Sequence, residues 1–150
     1  MTQTASGRPG KIVCVGRNYS EHAKELGNAV PKEPLLFLKP PSSVIREGES
    51  IVLPPQSNQV EFEGEIGVVI GSRLSHADVA AAAKAIRGFC ALNDVTARDL
   101  QKSDGQWTRA KGFDTFCAIG PESAAPSDLK TLMVLTRVNG VERQRGSAGD

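Results

Sequence analysis

The chain has 150 residues, 39% of them hydrophobic and 23% charged, with a formal net charge of +1. That length supports one domain with a real core, and the near-neutral balance gives neither nucleic acid nor an anionic membrane a reason to bind. No apolar run has the length of a membrane span, no signal-peptide pattern opens the chain, and the three cysteines (Cys14, Cys90, Cys117) fit neither a disulfide framework nor a zinc spacing, so reduced thiols in a cytoplasmic protein are expected.

Residues 1–10 are small and polar and read as a flexible leader, leaving 11–150 as the folded domain. "KIVCVG" is a short apolar strand ending at Gly16. "RNYSEHAKELGN" predicts a helix, with Asn18 as N-cap, Glu21 three residues on, and a stop at Gly27. "PLLFLKP" is a second strand bounded by prolines, and "IREGESIVLPP" carries turn punctuation. "VEFEGEIGVV" (60–69) predicts one strand with Glu61, Glu63 and Glu65 on one face, and Phe62, Ile66 and Val68 on the other, against the core. Residues 75–87 predict a helix from Ser75 and Asp78 at capping-box spacing, closed by Gly88. "FCALNDVTARDLQ" is strand to about Asp94 and helical after it, and 102–116 reads as loop. The last segment is a hairpin turning at Asn139-Gly140. Short strands dominate without regular βαβ alternation, so the fold class is α+β, mostly β.

Three groups of residues carry chemistry. Glu63 and Glu65, two apart, can aim carboxylates at one hard cation, whereas a solvated face of an antiparallel strand is the commoner reason for alternating Glu. Asp94 ends an apolar run, where a carboxylate needs a cation or donors; a metal and an ion pair with Arg98, four residues on, are both open. His22 and Glu25, at i and i+3, form either a water-activating pair or an exposed surface pair, and His76 reads as surface. Lys39 and Lys111 are either strand-end and loop lysines or binders of substrate carboxylate or enolate oxygen.

Together, "VCVGRNYSEHAKELG", "PLLFLKP", "VEFEGEIGVVIG", "LNDVTARDLQ", "WTRAKGFDTF" and "VNGVERQRG" resemble, in order, the fumarylacetoacetate hydrolase family. The resemblance runs over 11–146 and is nearest the acylpyruvase and oxaloacetate decarboxylase branch. It implies a mixed β-sandwich roll, of which this chain would be the N-terminal two thirds, with the remainder beyond residue 150. It implies one Mg²⁺ or Mn²⁺ ion, with Ca²⁺ as an alternative, on Glu63, Glu65 and Asp94, and gives Glu61 no ligand role. His22 and Glu25 match the water-activating dyad on a helical lid, Lys111 the active-site lysine, and Arg17, Lys39, Arg98 and Gln101 positions facing a small 2-oxo acid substrate. The implied activity is C–C hydrolysis of acylpyruvates or fumarylacetoacetate-like dioxo acids by a homodimer. Oxaloacetate decarboxylation and isomerisation of 2-hydroxyhepta-2,4-diene-1,7-dioate are the alternatives on the same site. An inactive metal-binding fragment and a structural β domain are the readings from other classes.

Overall fold

The computed structural model describes residues 8–18 and 33–148. The helix expected after Asn18, with His22 and Glu25, lies outside the described residues, as does most of the leader. The described fold is α+β and mostly β. Strand β1 (Ile12–Gly16) pairs antiparallel with β2 (Leu35–Lys39), setting Cys14 opposite Phe37 and Ile12 opposite Lys39. Alternation gives this pair two faces. Val13, Leu36 and Leu38 are exposed on one, while Lys39 on the other is buried.

The main sheet has the order β3-β8-β6-β5, built from β3 (Val44–Arg46), β8 (Cys117–Ile119), β6 (Ile86–Asp94) and β5 (Gly64–Ile70). Its β3–β8 pairing is parallel and the other two are antiparallel. Beyond it, β4 (Val60–Glu61) and β7 (Thr96–Ala97) form a short antiparallel pair. The predicted strand over 60–69 is therefore two strands, interrupted at Phe62 and Glu63. The partner is interrupted at the same place, ending β6 at Asp94 and resuming as β7 at Thr96, while the register is the same on both sides, Glu61 facing Thr96 and Gly64 facing Asn93. The expected single strand is corrected in that respect, although Glu61 and Glu63 on it remain close enough to share Arg98. Its apolar side is corrected too, because Phe62 is 38% and Val68 49% exposed rather than packed in the core.

The core forms at the same crossing. Val95, Ala97 and Phe116 are buried together, with Val60, Leu100 and Phe113 against them. Burying a side chain such as Phe116 contributes about 1.5–3 kcal/mol. Along residues 94–97, Val95 and Ala97 supply the core while Asp94 and Thr96, also buried, are left to find polar partners.

Helix α1 (Val79–Lys84) is shorter than the predicted 75–87. Asp78 is its N-cap, accepting from the Ala81 N–H at 2.7 Å, and His76 has φ 50°, so Ser75 cannot begin the helix. Two short helices replace much of the loop expected over 102–116: α2 (Arg98–Asp104) and α3 (Thr108–Gly112). They are joined by a bidentate Arg109–Asp104 pair. Strands β9 (Met133–Val138) and β10 (Val141–Ser147) make the predicted hairpin. Asn139 (φ 51°) and Gly140 (φ 80°) both take the left-handed conformation that its two-residue turn requires. Among the described residues, no helix is long and apolar enough to cross a membrane.

Candidate active site

Where the ends of β6 and β2, the β4–β5 junction and the α2 and α3 helices meet, six charged side chains come together. Asp94 is 4% exposed and is held by two lysines that are buried still deeper. Lys39 Nζ donates to Asp94 Oδ1 at 2.6 Å and to the Val95 carbonyl at 3.3 Å. Lys111 Nζ donates to Asp94 Oδ2 at 2.7 Å and to Glu63 Oε2 at 2.9 Å. Arg98 Nη1 lies 2.6 Å from Glu63 Oε1, its Nε 2.9 Å from Glu61 Oε2, and Nη1 also donates to Gln101 Oε1 at 3.0 Å. Thr96 Oγ1 reaches Glu63 Oε1 at 3.3 Å. Three carboxylates thus face three cations. Such burial is tolerable because every ion has opposite charge and hydrogen bonds around it.

The local sequence explains each placement. Lys39 follows Phe37 by two in β2, so both side chains turn inward, and the Phe37 ring lies 5.0 Å from Lys111 Nζ. Trp107 meets Phe37 edge-on at 5.4 Å and closes the same apolar collar around the ammonium. Glu63 is fixed through its backbone, its N–H donating to Asn93 Oδ1 and its carbonyl accepting from the Asp94 N–H. Burial pushes the Glu63 carboxyl up, but the Lys111 ammonium and Arg98 guanidinium outweigh it, and the group sits below its ordinary value. For Arg98, burial works against the charge, while Glu63 and Glu61 more than restore it.

A broad groove of about 1910 Å³ opens over this cluster, lined among others by Arg17, Glu63, Glu65, Asp94, Gln101 and Lys111. It is larger than the usual pocket for one small molecule. Arg17 stands exposed on its wall with a left-handed φ of 55°, a conformation costing a non-glycine residue on the order of 1 kcal/mol. Arg98 and Gln101 also line it. Lys39, expected to face substrate, does not: its side chain is wholly buried behind Asp94, because β2 turns it inward. The suggested Asp94–Arg98 pair is also replaced. The chain passes from strand to helix between them, and Arg98 swings to Glu61 and Glu63 instead.

The carboxylate oxygens of Glu63, Glu65 and Asp94 have the hard-donor chemistry that Mg²⁺ or Mn²⁺ takes. In position, Glu63 and Asp94 converge on one point, which the Lys111 ammonium holds, while Glu65 lies on the groove wall opposite Leu92 in β6. Among the described residues no three His, Cys, Asp or Glu side chains converge as a metal group. The donors fit a hard cation, and two of the three are brought together. Sequence reasoning passed over Thr96, Phe37, Trp107 and Asn93. Only the first carried a signal, standing beside Asp94 at a strand end; the other three act through contacts distant in sequence.

Comparison with known proteins decides the family. The sequence model "Fumarylacetoacetate (FAA) hydrolase C-terminal" matches residues 11–150. The chain belongs to the fumarylacetoacetate hydrolase family. Among relatives in this family, oxaloacetate tautomerase FAHD2A, mitochondrial, of Homo sapiens is 43% identical over 145 residues, covering 93% of this chain and 46% of the relative. The structure of 2-hydroxyhepta-2,4-diene-1,7-dioate isomerase from Mycobacterium marinum is 42% identical with a TM-score of 0.83, covering 95% of this chain and 52% of that one. Fumarylacetoacetate hydrolase from the psychrophilic Exiguobacterium antarcticum is 38% identical with a TM-score of 0.81, covering 93% and 52%. The chain therefore spans about half the length of these fumarylacetoacetate hydrolase relatives, whose names are those of enzymes: tautomerase, isomerase and hydrolase.

Proposed function

We propose that this chain carries the catalytic groups of an enzyme acting on the keto and enol forms of a small 2-oxo acid, with oxaloacetate-like diacids as the substrate class. The observation that carries this reading is the buried Lys111 ammonium, held at 2.7–2.9 Å by Asp94 and Glu63 on a groove that Arg17 and Gln101 also line. A 2-oxo acid brings a carboxylate and an oxygen that becomes anionic as the enol forms. Lys111 would donate to that oxygen, and its low exposure makes the interaction count for more than it would in water. Arg17 and Gln101 would bind and orient the carboxylate ends. Arg98, tied to Glu61 and Glu63, would keep Glu63 ionised. A divalent cation held by Glu63, Glu65 and Asp94 would add Lewis-acid polarisation of the substrate oxygens. The active form is proposed as a homodimer, and the names of a tautomerase and an isomerase among the relatives support proton transfer as the reaction.

Acylpyruvate hydrolysis is the second reading, favoured by the likeness to a fumarylacetoacetate hydrolase. There His22, oriented by Glu25, would take a proton from water so that it attacks the distal carbonyl; both residues lie outside the described residues. One set of assays with Mg²⁺ or Mn²⁺ separates the two: enol absorbance of oxaloacetate, its decarboxylation to pyruvate, and pyruvate release from acetylpyruvate. Lys111→Met should lower every activity the parent has, on the order of 100-fold. His22→Ala should abolish only hydrolysis. Full activity in Lys111→Met sinks the assignment, and a parent inert on both substrates sinks the substrate class.

A further inference from the structure

The hairpin of β9 and β10 is far in sequence from the carboxylates, yet it grips the residue between two of them. Along β10 the register against β9 slips between Glu142 and Gln144, so Arg143 is an extra residue. A bulge of this kind re-aims the side chain beside it. Gln144 leaves its own hairpin and reaches Gly64: its Oε1 accepts from the Gly64 N–H at 2.8 Å, and its Nε2 donates to the Gly64 carbonyl at 2.8 Å. Thr136 Oγ1 donates to the same Oε1 at 3.1 Å.

This contact follows from the sheet. β5 is an edge strand, and the Glu63 carbonyl is already taken by the Asp94 N–H on the β6 side. Successive residues of an antiparallel strand alternate in the direction of their backbone groups, so Gly64 presents its N–H and C=O outward. The Gln144 amide pairs with both, as one residue of a further strand would. The approach also requires glycine. A Cβ at Gly64 would overlap Thr136 Oγ1 and lie 2.9 Å from Gln144 Oε1 and 3.1 Å from Val134 Cγ1. The glutamate-bearing segment is thus clamped from two sides, by Asn93 and Asp94 on one and by Gln144 on the other.

We propose that Gln144 is a positioning residue that sets the separation and aim of Glu63 and Glu65 through the Gly64 peptide groups. This rests on the reading of those two glutamates as cation ligands. Supporting hydrogen bonds of that kind hold ligand geometry, and their loss weakens metal affinity without removing a ligand.

The test uses the full 150-residue chain, with Mn²⁺ as probe and free Mn²⁺ read by electron paramagnetic resonance. Amide exchange at Gly64 is followed by NMR, and urea midpoints are taken for every variant. Gln144→Met keeps length and removes both bonds; Glu142→Ala, exposed on the same strand, is the control. Gln144→Met should weaken Mn²⁺ binding by about tenfold or more and speed exchange of the Gly64 amide, while Glu142→Ala does neither. A lowered urea midpoint with unchanged Mn²⁺ affinity overturns the proposal, leaving Gln144 as a hairpin latch. Unchanged Gly64 exchange overturns it as well. Should Gln144→Met not fold, Gln144→Asn, one methylene shorter and still polar, carries the same comparison. A parent chain that binds no Mn²⁺ is a different result: it removes the ligand reading first, and the positioning role with it.

Discussion

Replacing Lys39 with methionine tests whether the buried charge cluster is what holds the β2 end to the β6 end. The Lys39 side chain is 0% exposed and that of Asp94 6%, with 2.6 Å between Nζ and Oδ1. Removing one partner of such a pair costs about 3–5 kcal/mol, because the other charge stays buried without its counterion. Asp94 keeps Lys111 at 2.7 Å, which offsets part of the loss. The lower end, about 3 kcal/mol, is therefore expected, and for a chain of this length it corresponds to a fall in Tm of roughly 6–12 °C. Urea unfolding can be followed through Trp107, the one tryptophan, which packs on Phe37 beside the cluster; circular dichroism then checks that both probes report a single transition. A double-mutant cycle with Asp94→Asn isolates the pair. The double variant should be less destabilised than the sum of the two singles by roughly 1–3 kcal/mol. A Lys39→Met shift under about 1 kcal/mol, or strict additivity, would refute the argument that this ion pair is a coupled buried unit.

Two other outcomes follow from separate parts of the fold. Gly140→Ala puts a side chain at φ 80°, where L residues are strained, and should destabilise the hairpin by about 1 kcal/mol in urea unfolding; no change would mean that the turn is not of the kind described. Burial pushes the Cys14 thiol up to about 12 and the Cys117 thiol up to about 11 from an ordinary value of 9.0. Since only the thiolate reacts, iodoacetamide at pH 8 should label both far more slowly in the native chain than in urea, by mass spectrometry of the two peptides. A raised folded value also means that these thiols contribute stability below pH 9.0, and that it is lost as pH rises through 11 and 12. Rapid native labelling of either cysteine at pH 8 would show the thiol to be neither buried nor raised.

Much of the strand pattern was legible because it rests on local signals. The apolar runs at β1 and β2 and the Asn139-Gly140 turn act within a few residues of themselves, whereas at α1 the cap is Asp78 rather than the expected Ser75. The site was legible as a set of residue types but not as a set of contacts. Asp94 needed a partner, and spacing offered Arg98; the partners formed are Lys39, 55 residues away, and Lys111, 17 away. Nothing local to Asp94 announces either one. The single strand expected over 60–69 is interrupted for a related reason. The ladder is interrupted at Phe62 and Glu63 where the facing strand is interrupted at Val95, a pairing partner far away in sequence. The loop expected over 102–116 holds most of two short helices, with Gly105 and Gly112 at their ends.

The glutamates of the 60–69 stretch differ in the partners they hold. Glu61, Glu63 and Glu65 alternate along it, and like charges in a row repel unless cations lie among them. Arg98 bridges Glu61 and Glu63, Glu61 also accepts from Gln59, and Glu63 is also held by Lys111 and Thr96. Glu65 stays with β5 on the groove. Every buried side-chain nitrogen and oxygen among the described residues has a partner, so the cluster is closed by the chain's own groups. The apolar faces are not closed in that way, with Val13, Leu36, Leu38 and Ile70 at 50% exposure or more. Whatever covers those faces would add hydrophobic burial, whereas the contacts that orient Asp94 and Glu63 are already complete without it.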